Sequence, residues 1–224
     1  MIQSKDQIVH HELFNQNSRS AEDQTVVMAT KIALQAVVLS GGASRRMGRD
    51  KALLPHAAGG TWLEHITGLL NSLDLPVLML TIHPSHEQLL QTNQRVSVQR
   101  DATPGAGPLK AIAAVFPADQ QQALLIAPVD MPELQADGLK QLISSWQQQP
   151  TAAAVAHDGE RLQPLLGIYP GGSKQRQSML ETLAAGHNNW MAWLEQIPYR
   201  AVSLPPGQLR NCNHPHDDLS LIHI

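Results

Sequence analysis

Short apolar segments alternate with longer amphipathic ones along most of this 224-residue chain, and this alternation limits the possible folds more than any other feature. The apolar segments have the length and composition of buried strands, and most of them are followed by a turn and a helical pattern. Strands that alternate with helices form a mainly parallel sheet that is covered on both faces. The sequence therefore predicts a three-layer α/β/α, Rossmann-like domain with a mostly parallel mixed sheet.

The positions of these elements follow from local patterns. Strands are predicted over residues 36–40, 76–82, 96–99, 123–127, 151–156, 162–169 and 199–204. Helices are predicted behind a capping box at residues 61–64, and over residues 84–90, 108–116, 133–149, 173–185 and 188–196. We interpret residues 1–33, which are polar and lack a sustained period, as a poorly ordered extension, and residues 34–224 as one domain.

Three loops that follow predicted strands carry the residues best suited to chemistry. Gly41, Asp101 and Asp130 each come directly after or close behind an apolar strand. In open sheets of this kind, ligands bind at the carboxyl ends of the strands. We therefore expect the three loops to open on the same edge of the sheet.

The first of these loops, residues 41–51, has the composition of a phosphate-binding loop. Adjacent glycines let backbone N–H groups approach anionic oxygens, and four cations can neutralise phosphate charge, with Lys51 and Arg46 as the best candidates. A Walker A loop is excluded because Ala52 follows the lysine, and the spacing of a dinucleotide fingerprint is absent. The alternative interpretation is an ordinary solvated basic loop.

The other two loops each present a carboxylate. Asp130 follows an apolar strand and precedes a proline segment, where a hard cation that carries a triphosphate is its natural partner. The alternative is that Asp130 caps the next helix. Asp101 has a similar place, and its alternative is an ordinary turn aspartate.

Composition excludes several classes of function. A hydrophobic content of 42%, a charged content of 16% and a net charge of −3 predict a globular protein with no general attraction for nucleic acid or membrane. Cys212 is the single cysteine, so an internal disulfide is excluded, and this agrees with a cytoplasmic location. The eleven histidines lack the cysteine partners or second spaced pair of a zinc site, so we expect no histidine-bound metal. Trp190 and Trp193 are expected in the core, not on a base-stacking platform.

The loop at residues 41–51 also resembles the signature L-[AS]-G-G-x-S-x-R-M-G-x-D-K of a nucleotidyltransferase family that includes molybdenum cofactor guanylyltransferase and has the nucleotide-diphospho-sugar transferase-like fold. The matching residues are Leu39, Ser40, Gly41, Gly42, Ser44, Arg46, Met47, Gly48, Asp50 and Lys51. Residues 101–109, 163–169 and 211–219 are similar to three further elements of that family.

The resemblance implies a reaction and a site. GMP would pass from GTP to molybdenum-bearing molybdopterin with Mg²⁺ as cofactor, and pyrophosphate would be released. Asp130, with Asp101 as the second ligand, would hold the metal, while Lys51 and Arg46 would stabilise the leaving group. The implied nucleotide-binding residues are Leu39, Ser40, Gly41, Gly42, Lys51, Asp101 and Asp130. Molybdoenzyme apoproteins and proteins of cofactor synthesis are the implied protein partners.

Other aspects of the resemblance leave alternatives open. Gln163 and Asn213 are candidates for binding the pterin, and hydrogen bonds that stabilise loops are the alternative role for both. The chain departs from the family at Lys110, where the family usually has a small residue. It also departs around Thr81, where the usual base-contacting asparagine has no counterpart. The rival functions are a cytidylyltransferase or sugar-phosphate nucleotidyltransferase of the same fold, and a non-catalytic protein that delivers nucleotide or cofactor.

Overall fold

The computed structural model describes residues 32–41, 50–103 and 105–212, and these residues build a seven-stranded mixed sheet. The strands are β1 (Ala33–Ser40), β2 (Val77–Thr81), β3 (Val96–Arg100), β4 (Gln122–Pro128), β5 (Ala153–His157), β6 (Leu162–Pro170) and β7 (Tyr199–Ser203). Their order is β3-β2-β1-β4-β6-β5-β7. Only β6 among these strands is antiparallel to its neighbours, β4 and β5. The predicted mixed, mostly parallel sheet is confirmed.

Six α-helices and two 3-10 turns connect the strands of the described chain. The helices are α1 (Trp62–Ser72), α2 (Pro84–Leu90), α3 (Pro108–Ala113), α4 (Ala136–Gln148), α5 (Ser173–Ala184) and α6 (Trp190–Leu194), and the 3-10 turns are Lys51–Leu53 and Pro206–Leu209. The predicted capping box is present, because the Thr61 hydroxyl accepts from Glu64 N at 3.2 Å and the Glu64 carboxylate accepts from Thr61 N at 2.8 Å.

Three helices differ by more than one residue from their predicted ranges, and one of them, α6, is two residues shorter at each end. α4 begins three residues late, because Leu134 N bonds to Met131 O at 3.1 Å and closes a separate turn before the helix. α3 ends at Ala113 instead of residue 116. Residue 117 is a proline, and a residue that precedes proline avoids the helical conformation.

The core consists of one apolar cluster on each face of the sheet. Alternate strand residues supply the two clusters, so Val38 and Leu125 face α1 and α4 while Val37 and Ile126 face α3, α5 and α6. Trp190 and Trp193 are buried in the second cluster, which confirms their predicted place in the core. The sheet is therefore covered on both faces, as the alternation of strands and helices predicts.

The predicted domain boundary falls close to the first described strand. β1 begins at Ala33, three residues earlier than the predicted strand. The proposed N-terminal extension, residues 1–33, lies outside the described residues except for its last two. Within the described ranges, none of the helices combines the length and the apolar character needed to cross a membrane.

Candidate nucleotide-binding site

The carboxyl ends of the parallel strands bring the three predicted loops to one edge of the sheet. Ser40 of β1 is in register with Thr81 of β2, and Leu39 is in register with Pro128 of β4. A cavity of about 600 Å³ opens at this edge, which is a size common among small-molecule sites. Its walls include every predicted nucleotide-binding residue that the structure describes, namely Leu39, Ser40, Gly41, Lys51, Asp101 and Asp130.

Lys51 and Asp130 meet inside this cavity although 79 residues separate them in the sequence. Lys51 is the first residue of the 3-10 turn, and its Nζ lies 3.5 Å from Asp130 Oδ2. The two side chains are only 14% and 26% exposed. The pair is therefore partly shielded from water. In this less polar environment its charges act more strongly on a bound anion than they would on an open surface.

The main chain of Asp130 is fixed independently of its carboxylate. Cys212 N donates to Asp130 O at 3.0 Å, and Val129 N donates to Leu39 O at 3.4 Å. The alternative that Asp130 caps the next helix is wrong, because α4 begins at Ala136 and Gln135 occupies its cap position. The carboxylate of Asp130 is thus directed to the cavity and to Lys51.

Asp101 lines the same cavity and lies next to Gly41. Its Oδ1 accepts from Thr103 N at 2.9 Å and from the Thr103 hydroxyl at 3.2 Å, which is the geometry of a turn aspartate. Its Oδ2 faces Gly41, where an added Cβ would lie 4.0 Å away. One carboxylate oxygen of Asp101 therefore stabilises the turn, and the other faces the loop that leaves β1.

Both ends of the Gln163 side-chain amide are hydrogen-bonded to other side chains. Its Nε2 donates to Asp158 Oδ2 at 2.9 Å, and its Oε1 accepts from Asn211 Nδ2 at 3.2 Å. Hydrogen bonds from the backbone of Arg161 and Glu160, and then from Gln163, lower the pKa of Asp158 to about 2. Gln163 thus joins the β5–β6 hairpin to the segment that follows the last 3-10 turn, and its role toward the pterin stays a prediction.

Several predicted site residues cannot be placed. Gly42, Arg46 and Asn213 lie outside the described residues, so their roles also stay predictions. In the part of the chain that is described, no group of three or more His, Cys, Asp and Glu side chains is arranged to hold a metal ion.

The sequence missed one polar cluster beside this site. His86 is fully buried, and its Nε2 lies 2.7 Å from Asp50 Oδ2, while its Nδ1 lies 2.7 Å from Thr81 Oγ1. The spacing of histidines in a sequence bears on metal binding alone, and a contact across 36 residues leaves no local pattern. The one available signal was the position of Asp50, immediately before the lysine of the loop.

A glycine loop, a lysine and two aspartates at the carboxyl edge of a mainly parallel sheet define the class of the protein, a nucleotidyltransferase with an α/β fold. More particularly, the chain belongs to the MobA-like NTP transferase domain family, whose sequence profile matches residues 36–200. The family expected from the loop signature is thereby confirmed.

Relatives with names and solved structures agree with this assignment. A protein of Rhodopirellula baltica named "probable molybdenum cofactor guanylyltransferase" is 33% identical over 190 residues, which are 82% of this chain and 89% of the relative. A Nostoc protein of the same name is 29% identical over 82% of this chain and 88% of its own. The crystal structure of molybdopterin-guanine dinucleotide biosynthesis protein A from Archaeoglobus fulgidus covers 84% of this chain and 96% of its own, with a TM-score of 0.64 and 19% identity. The last similarity is one of fold.

Proposed function

We propose that this chain transfers GMP from GTP to molybdenum-bearing molybdopterin, which yields molybdopterin guanine dinucleotide and pyrophosphate. The observation that carries the proposal is the placement of Lys51 Nζ 3.5 Å from Asp130 Oδ2 in the cavity at the carboxyl edge of the sheet. The curated relatives named as molybdenum cofactor guanylyltransferases supply the choice of substrates.

The reaction is an in-line displacement at phosphorus. An oxygen of the terminal phosphate of molybdopterin attacks the α-phosphorus of GTP and forms a new P–O bond. The bond from the α-phosphorus to the bridging oxygen breaks, and its electron pair leaves with pyrophosphate. Because the attacking phosphate is already ionised, the rate depends on positioning and on charge stabilisation and needs no strong general base.

Lys51 is the described cation best placed to stabilise the leaving pyrophosphate. Its ammonium group is mostly buried at the cavity wall, and Asp130 orients it. Arg46 adds positive charge from the same loop, and the small residues Gly41 and Gly42 let backbone N–H groups approach the phosphates. These groups favour the transition state because negative charge grows on the leaving oxygen.

The carboxylates of Asp130 and Asp101 fit a magnesium ion. Mg²⁺ prefers oxygen ligands and is commonly bound in such enzymes by one or two carboxylates together with substrate phosphates. Asp101 directs Oδ2 toward the glycine loop, and Asp130 lies at the same cavity. When bound, the ion neutralises charge on the phosphate oxygens. Asp130 and Asp101 are proposed as its ligands, with Asp101 the second and weaker one.

The product of this reaction serves proteins beyond the enzyme. We place the reaction in the cytoplasm, with molybdoenzyme apoproteins and other proteins of cofactor synthesis as partners that supply molybdopterin or receive the dinucleotide.

The proposed function is tested by measuring pyrophosphate release with GTP, CTP, ATP and UTP in the presence of molybdenum-bearing molybdopterin. Release with GTP alone, and only when the pterin is present, is the expected result. Release with CTP alone would identify a cytidylyltransferase, and release that requires a sugar phosphate in place of the pterin would identify a sugar-phosphate enzyme. Nucleotide binding without any release would support a delivery protein.

A further inference from the structure

Three side chains form a chain of polar contacts next to Lys51, and we call it the Thr81–His86–Asp50 chain. Thr81 is the last residue of β2, His86 lies on α2, and Asp50 immediately precedes the 3-10 turn. The two contacts of the imidazole ring are both 2.7 Å long. Thr81 and His86 are completely buried, so neither side chain is accessible to a substrate.

The Thr81–His86–Asp50 chain lies between the strand residue before the phosphate-binding loop and the residue that ends it. Thr81 is in register with Ser40, the last strand residue before the loop, and Thr81 Oγ1 lies 3.3 Å from the Ser40 carbonyl oxygen. At the other end, Asp50 Oδ1 accepts from Ala52 N at 3.1 Å and thereby caps the 3-10 turn that begins with Lys51. Asp50 thus uses one oxygen to start that turn and the other to hold His86.

The hydrogen positions in the Thr81–His86–Asp50 chain have a consistent assignment. A carboxylate only accepts, so His86 Nε2 carries a proton and donates it to Asp50 Oδ2. Nδ1 of the neutral ring then accepts the single proton of the Thr81 hydroxyl, whose oxygen accepts in turn from His83 N at 3.0 Å. The 3.3 Å contact of Thr81 Oγ1 with the Ser40 carbonyl is then not a hydrogen bond, and the pairing of β1 with β2 alone links Thr81 to Ser40. Burial lowers the pKa of His86, and this effect exceeds the opposing influence of Asp50, which agrees with a neutral ring. Rotation of the ring would break both contacts.

We propose that His86 is a positioning residue that fixes Asp50 and thereby sets the place of Lys51 relative to Asp130. The inference rests on the proposed function in one respect, namely the role of Lys51 toward the leaving phosphate. Lys51 follows Asp50 directly and starts the turn that Asp50 caps, so a displacement of the Asp50 carboxylate moves the backbone from which the ammonium group extends. When Lys51 is displaced in this way, kcat falls more than the affinity for the nucleotide does.

Two substitutions at His86 separate positioning from mere packing. His86→Gln retains an amide that donates to Asp50 and an oxygen that accepts from Thr81. His86→Leu has a comparable volume and breaks both contacts. We expect His86→Leu to lower kcat about 10- to 100-fold, since a misplacement of about 1 Å can cost about 100-fold. The KM for the nucleotide should change far less, and His86→Gln should restore most of kcat.

Two further substitutions test the Thr81–His86–Asp50 chain without altering His86. Asp50→Ser keeps an oxygen that can cap the turn by accepting from Ala52 N but is too short to reach His86 Nε2 as well, so kcat should fall as in His86→Leu. Thr81→Val removes only the hydroxyl and should have a smaller effect. Its matched control is Thr182→Val, the same change at a buried threonine of α5, which should leave kcat unchanged.

A second measurement reports on the cap of the 3-10 turn at Lys51–Leu53 without any turnover. Hydrogen exchange at Ala52 N should be faster in His86→Leu than in the unaltered protein, and it should be restored in His86→Gln. Melting temperatures and circular dichroism give the folded fraction for each variant. If His86→Leu does not fold, Asp50→Ser and Thr81→Val decide the question.

Two results would overturn the inference: unchanged kcat and unchanged Ala52 exchange in His86→Leu, or a His86→Gln variant as impaired as His86→Leu. A failure of the proposed function is distinguishable from either. The unaltered protein is first assayed with all four nucleotides, and the one that it uses serves for every variant. If it uses none of them, the proposed function is wrong. Exchange at Ala52 N still decides whether His86 fixes Asp50 and the turn that Asp50 caps.

Discussion

Asp130→Asn separates the chemical role of this residue from its contribution to folding. The substitution removes one negative charge and keeps the size of the side chain and one acceptor oxygen for Lys51. The backbone at this position is held by Cys212 N at 3.0 Å, and that bond does not involve the carboxylate. We therefore expect the loop after β4 to keep its course in the variant.

The expected magnitudes differ greatly for stability and for rate. Two unit charges 3.5 Å apart attract by about 1 kcal/mol in bulk water and by about 5 kcal/mol at the effective dielectric constant of a protein surface. Desolvation and side-chain ordering offset most of this, so the net loss of folding free energy should be about 1 kcal/mol or less. Loss of an electrostatic group from a preorganised site costs about 100- to 1,000-fold in kcat.

The assay is pyrophosphate release at saturating GTP over a series of magnesium concentrations, together with thermal unfolding of the same sample. We expect the apparent magnesium affinity and kcat to fall together while the melting temperature changes little. Glu133→Gln is the matched control, because it removes the same charge from an exposed side chain three residues further along. Near-normal kcat with an unchanged magnesium dependence in Asp130→Asn would remove Asp130 from the site.

Three other substitutions test the site and the fold. Lys51→Met keeps the aliphatic stem and loses the ammonium group, so kcat for pyrophosphate release should fall about 100- to 1,000-fold; equal kcat would exclude a role for its charge. Thr61→Ala breaks the capping box of α1, which should cost about 1 kcal/mol in chemical denaturation while kcat per folded molecule stays the same. Burial lowers the pKa of both His65 and His86 below the ordinary histidine pKa of 6.5. Below that pH the unfolded protein binds more protons than the folded protein, so the free energy of unfolding should decrease as the pH falls. His65→Gln should weaken that dependence in urea titrations at pH 8 to 5, and an unchanged slope would contradict the assignment.

Local patterns in the sequence account for the elements and for part of the site. The 61–64 capping box and the prolines that start α2 and α3 act within a turn of the residues that they affect, so the beginnings of these helices are readable. The rule that ligands bind at the carboxyl ends of parallel strands predicts Asp101 and Asp130 at one edge of the sheet without any distance information. That rule needs only the strand direction, which the alternation with helices supplies.

The details of the site depend on contacts that no local pattern records. The contact of Lys51 with Asp130 spans 79 residues, and that of His86 with Asp50 spans 36. Both require the actual order of the strands, in which β1 lies between β2 and β4. Single-residue propensities are insensitive to such order, so the partner of Asp50 and the turn role of Asp101 Oδ1 became visible only in three dimensions.

The sequence by itself determined the fold class, the family and the small set of residues from which a nucleotide site is built, because strand and helix patterns, glycines and charged signatures are short-range properties. Only the tertiary structure decided that β6 is inserted between β4 and β5, that Lys51 is paired with a carboxylate, and that a buried histidine contacts both Asp50 and Thr81. The physical reason is that packing a sheet between two layers of helices brings together side chains whose separation along the chain carries no information about their contact.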